Sequence, residues 1–367
     1  MLYLEPTPYI IGLIELIVSR RQGEVAVLFI GQNLSQNWCL DLGKSNIKVL
    51  PSGLIGSICI LRRWLKSGEY GLLHLAGWGH PVLFSALVLA SMQGIPIIME
   101  SDTSKNAGVP RWKQAVKRLF YPKLFRIPAM FLPGGSRQVE YLRHYGVPVN
   151  RIKVAQMTVD TARISSHIDA MDNDRKASIR ASYDIHSDGI VFLYVGRLEP
   201  HKGLIELINA FNCISSTENG LAYLLIAGDG SLRNLIEGQT VKRKYIRYAG
   251  RLSGSALLDV YAVADVFVLV SRFEPWGLVV NEAMAAGLPV IVSACLGCVD
   301  DLVREGETGL VIPANSEEML VKAIVSLMYD KKLREKMALK ARNLIAGWTL
   351  DNEANIVLNT WDQILKG

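Results

Sequence analysis

Long uninterrupted apolar runs are missing from this chain. The longest, 83–99, contains Gln93, Gly94 and Pro96, so it reads as helix, turn and strand and is short for a membrane span. Cysteine is scarce. The five present (Cys39, Cys59, Cys213, Cys295 and Cys298) are scattered and odd in number, which argues against a disulfide framework and for a reducing compartment. Cys295 and Cys298 have metal-like spacing, but no second Cys/His pair lies near them, so half of a zinc site is absent. No basic stretch precedes an apolar one at the N-terminus, and Glu5, Pro6 and Pro8 interrupt it, so a secretory signal is not expected. No Gly-x-Gly-x-x-Gly follows the first strand, which sets aside a Rossmann dehydrogenase. A nucleotide-sugar epimerase would need Tyr-x-x-x-Lys on a helix, and Tyr121-Pro122 does not supply it. The expectation is a cytoplasmic protein.

What the chain does contain points to two domains, because 367 residues exceed one ordinary core. Half the residues are hydrophobic and mean hydropathy is +0.22, which suits parallel strands buried on both faces. A net charge of +6 favours anionic partners: nucleotide phosphates, anionic lipid or nucleic acid. Strands are expected at 2–4, 25–31, 72–75, 95–99, 129–132 and 152–154, with helices at 10–19 and 81–92. Residues 160–188 are polar and read as a linker into the second domain. Within them Asp172-Asn173-Asp174 resembles an Asp-x-Asp metal signature, but no strand precedes it, and a solvated turn is the simpler reading. Strand–turn–helix units then repeat from 190, the chain is helical from 316, and 348–365 forms a terminal helix. The expected division is 1–165, 166–345 and a last helix, 346–367, packing back on the first domain.

In open α/β sheets ligands collect at the carboxyl ends of strands, so the turns there matter most. After "IVFLYV" comes Gly196-Arg197-Leu198-Glu199-Pro200-His201-Lys202-Gly203 and then a helix. Glycine lets backbone approach a ligand, Arg197 offers paired donors, Lys202 adds a cation, and the helix start adds N–H groups. The set describes a pyrophosphate site; the alternative is a surface ion pair of Arg197 with Glu199. Gly228-Asp229-Gly230 ends the next strand, and Arg251 follows Tyr248-Ala-Gly. Each could edge a ligand or be a plain turn. Glu274 and Glu282, with seven residues between them, stand across the start of a helix in "RFEPWGLVVNEAMAAGLPV". Carboxylates only accept, so sugar hydroxyls are natural partners, and beside neutralised phosphates the pair fits a nucleotide-sugar, Glu282 on ribose and Glu274 on the sugar. The alternatives are a buried ion pair for Glu282 and a helix-start acid for Glu274.

Gly-Arg-Leu then Lys-Gly, Gly-Asp-Gly, Glu-Pro-x-Gly with its second glutamate, and Ala-Gly-x-Pro-Val-Ile occur in that order over 190–312. This combination resembles the family-4 retaining glycosyltransferases of GT-B fold, glycosyl transferases group 1. The resemblance implies two Rossmann-like doubly wound α/β domains facing each other across a cleft. It implies that Arg197 and Lys202 bind the donor diphosphate, Glu282 the ribose and Glu274 the sugar near its reacting carbon, while Gly277 and Leu278 offer backbone N–H groups. Gly196, Gly228, Asp229 and Arg251 complete the expected donor side. It also implies retained configuration without a bound metal or other cofactor, with a UDP-, GDP- or dTDP-sugar as donor. The alternative is a non-catalytic nucleotide-sugar-binding partner subunit.

The first half departs from that family. Many members have a glycine pair after the first strand, where this chain has only Gly12. Many have a histidine before an aspartate where this chain has Glu100-Ser101-Asp102, so Glu100 or Asp102 is expected beside the acceptor, with His80 of "GWGHP" a second candidate. Helix capping is the alternative for Asp102. Residues 111–126 are basic and aromatic without an acid, and Arg62, Arg63, Trp64 and Lys66 extend that character. Such a segment suits an anionic membrane surface, and a solvated helix face is the alternative. No nucleic-acid motif accompanies it. The expected acceptor is a glycan or lipid-linked sugar in polysaccharide, lipopolysaccharide or glycolipid synthesis, met at the inner face of the cytoplasmic membrane.

Overall fold

In the computed structural model the described residues are 1–21, 24–32, 47–105, 109–215 and 222–366; Cys39 lies outside them. The chain begins β1 (Leu2–Tyr3), α1 (Pro8–Arg20), β2 (Val27–Phe29), β3 (Ile47–Val49), α2 (Leu54–Lys66) and β4 (Leu73–Leu75). It continues α3 (Pro81–Met92), β5 (Ile97–Ser101), α4 (Arg111–Leu124), β6 (Met130–Pro133) and α5 (Ser136–His144). Then follow α6 (Thr161–Asp169), α7 (Asn173–Ser182), β7 (Ile190–Val195), α8 (Leu204–Ser215), β8 (Ala222–Ala227) and α9 (Arg233–Lys242). Next come β9 (Ile246–Gly250), α10 (Gly254–Val263), β10 (Val266–Leu269), α11 (Leu278–Ala285) and β11 (Val290–Ser293). The chain closes with α12 (Val299–Leu302), β12 (Gly309–Ile312), α13 (Glu317–Tyr329), α14 (Lys331–Ile345) and α15 (Leu350–Lys366).

These elements form two units, Met1–Val159 with Leu350–Gly367, and Asp160–Thr349. Each has a parallel sheet of six strands among the described residues, ordered β3-β2-β1-β4-β5-β6 and β12-β11-β10-β7-β8-β9. Counted from its own first strand, each sheet has the order of a doubly wound nucleotide-binding domain. Right-handed crossovers put α2, α3 and α4 on one face of the first sheet and α1 on the other. The packing agrees. Leu61, Leu87 and Phe125 share one core, while Ile14 and Ile17 share another with Val357 and Trp361 of α15.

Several sequence expectations need correction. The strand expected at 152–154 is only an isolated bridge between Ile152 and Phe131. The polar stretch after 160 is not a linker but α6 and α7, which belong to the second unit. Asp160 and Asp172 cap them, accepting the Arg163 and Arg175 amides at 3.0 and 2.7 Å. Their apolar positions are few but well spaced: Thr161, Ile164 and Ile168 form the buried stripe of α6. Arg180 of α7 pairs with Asp265 at 2.9 Å, so polar contacts replace apolar ones there. The chain therefore leaves the first unit at 159, not 165, and returns at 350.

Candidate functional site

In the second sheet the strand order reverses between β7 and β10, so the turns after these strands flank the position where such sheets bind ligands. After β7, Pro200–Lys202 makes one 3-10 turn, and Gly203 follows at φ 73°. A Cβ on Gly203 would stand 2.2 Å from the Val270 carbonyl oxygen, so only glycine lets this turn lie against the end of β10. The Arg272 amide donates to the His201 carbonyl at 2.8 Å, joining the two turns.

Lys202 and Glu274 meet across that junction. Lys202 Nζ donates to Glu274 Oε2, and the two side chains are only 11% and 15% exposed. The Glu274 loop is fixed by its carbonyl, which accepts the Gly297 amide at 3.0 Å, and by Trp276. Trp276 is buried, donates Nε1–H to Asn281 at 3.0 Å, and stacks on Trp348 at 5.6 Å. Gly277, at φ 104°, starts α11, and no side chain caps the helix, so Gly277 and Leu278 lie at its uncapped N-terminal end.

Glu282 lies in the second turn of α11, half-buried. The Tyr261 hydroxyl donates to its Oε2 at 2.7 Å, and no cation pairs with it among the described residues. Burial pushes its carboxyl up to about 7, a rise that the Tyr261 hydrogen bond opposes. The buried ion pair weighed for this residue is not formed.

Arg197 is exposed, and its guanidinium forms no ion pair among the described residues. Glu199 is held instead by Ser231, whose hydroxyl and amide donate at 2.7 and 3.2 Å and hold the Glu199 carboxyl below its usual range. Burial, with Lys202 and Arg197 nearby, lowers the His201 imidazole from its usual value.

The glycines after β7 and β8 have a different use from the one their positions suggest. A Cβ on Gly228 would lie 1.8 Å from the Gly196 carbonyl oxygen, and one on Gly230 would lie 2.7 Å from that of Leu198. The two turns press backbone on backbone, so these glycines serve close packing between turns. Asp229 continues this stitching: its carbonyl accepts the Leu198 amide at 2.9 Å, and its carboxylate accepts the Gly230 amide at 2.9 Å. Arg251 is exposed beside Gly250, whose carbonyl accepts the Gly228 amide at 2.8 Å.

The acceptor-side candidates of the first unit are not brought together as one set. Glu100, at the end of β5, accepts from Tyr3 at 2.7 Å and faces His74 Nε2 at 2.9 Å. Trp361 of α15 donates to His74 Nδ1 at 3.0 Å, which leaves Nε2 as the proton-bearing nitrogen facing Glu100. Burial and the Glu100 charge push the Asp102 carboxyl up. His80 stands apart. Its Nδ1 accepts the Val82 amide at 3.2 Å, capping α3, and it lines a cleft of about 680 Å³ with Ile30, Val49, Leu50 and Ser57. Gly12 sits inside α1, where a Cβ would stand 3.0 Å from Leu350, so it is a helix-packing glycine and not a loop contact. Tyr3, His74, Trp361 and Tyr261 were not singled out in the sequence. Each acts on a residue far along the chain, which no local pattern signals.

The family of glycosyl transferases group 1 matches residues 175–344. The alpha-D-kanosaminyltransferase of Streptomyces kanamyceticus is 31% identical over 333 residues, covering 81% of this chain and 82% of that protein. The chain belongs to the glycosyl transferases group 1. Among solved structures, Anabaena Alr3699/HepE in complex with UDP superposes with TM-score 0.79 at 15% identity, covering 99% of each chain. WaaG, a glycosyltransferase involved in lipopolysaccharide biosynthesis, superposes with TM-score 0.71 at 15% identity over the whole of both chains. The fold of this glycosyltransferase is thus GT-B. No described helix is long and apolar enough to cross a membrane.

Proposed function

We propose that this group 1 glycosyltransferase retains configuration and moves a sugar from a nucleotide-diphosphate sugar to a glycan or lipid-linked acceptor. The products would be cell-surface polysaccharide, lipopolysaccharide or glycolipid, made at the cytoplasmic membrane's inner face. The observation that carries this reading is the Lys202–Glu274 pair at the strand-order reversal, with Glu282 on the helix that follows. An ammonium has three donors, so Lys202 can hold Glu274 and still donate to a phosphate. In this reading Arg197, Lys202 and the N–H groups of Gly277 and Leu278 hold the diphosphate. Glu282 accepts from the ribose and Glu274 from the sugar, with Arg251 at the pocket edge, while Gly196, Gly228 and Asp229 hold the two turns behind it by packing on each other. Glu100 and Asp102 face the acceptor; His80, which caps α3 apart from them, and Gly12 are left out.

The acceptor hydroxyl would attack the anomeric carbon from the face the diphosphate leaves. The carbon–phosphate oxygen bond breaks as the new glycosidic bond forms, and the departing phosphate oxygen takes the hydroxyl proton. The protein contributes charge stabilisation on the leaving group, and no metal enters the scheme. Thermal unfolding with UDP, GDP, ADP and dTDP, then with their sugars, tests this. One nucleotide should stabilise by about 2.7 kcal/mol at a hundredfold excess over its Kd, with or without EDTA. The binding of UDP by HepE makes uridine nucleotides the first probes. No stabilisation by any nucleotide, or a product of inverted configuration, would sink the proposal.

Glu282 gives this reading a pH signature. A carboxyl that ionises near 7 accepts from hydroxyls fully only above that pH. Proton and ligand compete below it, so donor affinity should rise roughly tenfold between pH 6 and 8. The donor's own diphosphate stays ionised throughout, which isolates the protein group. Glu282→Gln should bind weakly and without this slope. A wild-type Kd that is flat across the range would remove Glu282 from the ribose site.

A further inference from the structure

The face of the first unit that carries α2, α3 and α4 is apolar where it should be polar. In α4, Tyr121 and Leu124 pack inward, while Trp112, Val116 and Leu119 recur at i, i+4 and i+7 on the opposite side. Trp112, Leu119 and Phe120 are 66%, 66% and 60% exposed, and no residue of α4 is fully buried. In α3, a helix apolar on every side, Phe84, Val88 and Met92 form a second outward stripe. Ile55, in the first turn of α2, is 80% exposed. The opposite face supplies the control. There α1 and α15 leave only Leu365 among their large apolar side chains exposed. Burying apolar groups is favourable, so a concentration of this kind on one face marks a surface that is covered in use.

The charges say by what. Helices α2, α3 and α4 carry eight Lys and Arg residues between them and no Asp or Glu. A protein partner would have to match both the apolar stripes and this cationic border. An anionic bilayer supplies both at once, with acidic headgroups for the cations and acyl chains for the stripes.

We propose that this face is a bilayer-docking surface, in which α4 binds anionic headgroups and inserts Trp112, Leu119 and Phe120, while α3 inserts Phe84 and Met92. The purpose assigned to it rests on the membrane-held acceptor proposed above, but the surface itself does not. Vesicle binding measured without donor or acceptor keeps the two separable.

The full chain should float with phosphatidylcholine–phosphatidylglycerol vesicles and far less with phosphatidylcholine alone. Raising salt to about 1 M, where screening acts over about 3 Å, should weaken but not abolish flotation, because inserted side chains do not depend on charge. Lys113→Glu with Arg118→Glu should lower partitioning on the anionic vesicles by at least about 25-fold, roughly fivefold per cation lost, and leave the small neutral binding alone. Phe84→Ser with Met92→Ser should lower it about tenfold or more on both vesicle types and shrink the salt-resistant fraction. Circular dichroism and an unchanged melting temperature report that each variant is folded. Wild-type protein that stays unbound to anionic vesicles at low salt overturns the proposal, as does binding that neither pair of substitutions changes. A wild-type dimer that Phe84→Ser, Met92→Ser splits, with no vesicle binding, would assign the face to a second copy of the chain instead.

Discussion

Arg197→Ala is expected to lower sugar transfer by about 10²–10³-fold while leaving the melting temperature where it was. The first half of this expectation comes from the chemistry. In the proposed mechanism negative charge grows on the departing diphosphate, and a guanidinium fork beside it would stabilise that charge in the transition state more than in the ground state. The second half comes from the structure. The side chain is exposed and forms no ion pair among the described residues, so the folded protein loses nothing when it goes. Lys202→Ala should behave differently, losing transfer and also stability. Its ammonium is the partner of a Glu274 carboxylate that is only 15% exposed, and a charge left alone there costs about 3 kcal/mol. Adding Glu274→Ala should recover that stability without recovering transfer. Steady-state kinetics and calorimetry on the three variants decide the matter. Normal turnover in a folded Arg197→Ala protein would remove this residue from the reaction.

Gly228→Ala is expected to be the most damaging single methyl group in the second unit. The added carbon would sit 1.8 Å from the Gly196 carbonyl oxygen, backbone against backbone, with no flexible side chain to yield. The turns after β7 and β8 would have to separate, breaking the Leu198–Asp229 and Leu232–Leu198 hydrogen bonds that hold them. A cost of about 4 kcal/mol or more follows, and a unit of this size loses about 2–4 °C of melting temperature per kcal/mol. Gly238→Ala is the matched comparison. It lies in α9 with nothing within 4 Å of the new carbon, and alanine favours helix over glycine, so it should be neutral or slightly stabilising. Equal melting temperatures for the two variants would mean that the turns do not need this contact.

The turns that carry the candidate residues of the second unit are legible in the sequence because their signals are local. A glycine-bounded turn after an apolar strand, with a cation or an acid in it, announces its position at the carboxyl edge of a sheet before any coordinate is known. The function of individual atoms was less legible. Gly196 and Gly228 looked like ligand-facing glycines, and the structure presses them against each other. Glu282 has an ordinary helical sequence around it, and only the fold shows Tyr261, twenty-one residues earlier, donating to its carboxyl. The first unit shows the limit more sharply. The partners of Glu100 lie at positions 3 and 74, and the group that orients His74 lies at 361, so no window on the sequence contains them together. Strand β3 is three residues long, with a lysine at its centre and little burial, too weak a pattern to read as a strand. Helices α6 and α7 read as linker because capping aspartates and an arginine–aspartate pair hold them in place of a broad apolar face.

The return of α15 to the first unit also fixes an order of manufacture. Trp361 reaches His74, and Val357 packs with Ile14 and Ile17, so one layer of that unit is supplied by residues translated after the whole second unit. A ribosome releases the second unit, contiguous from 160 to 349, before the first can close. A chain that stops before α15 would therefore join a complete second unit to an unfinished first one.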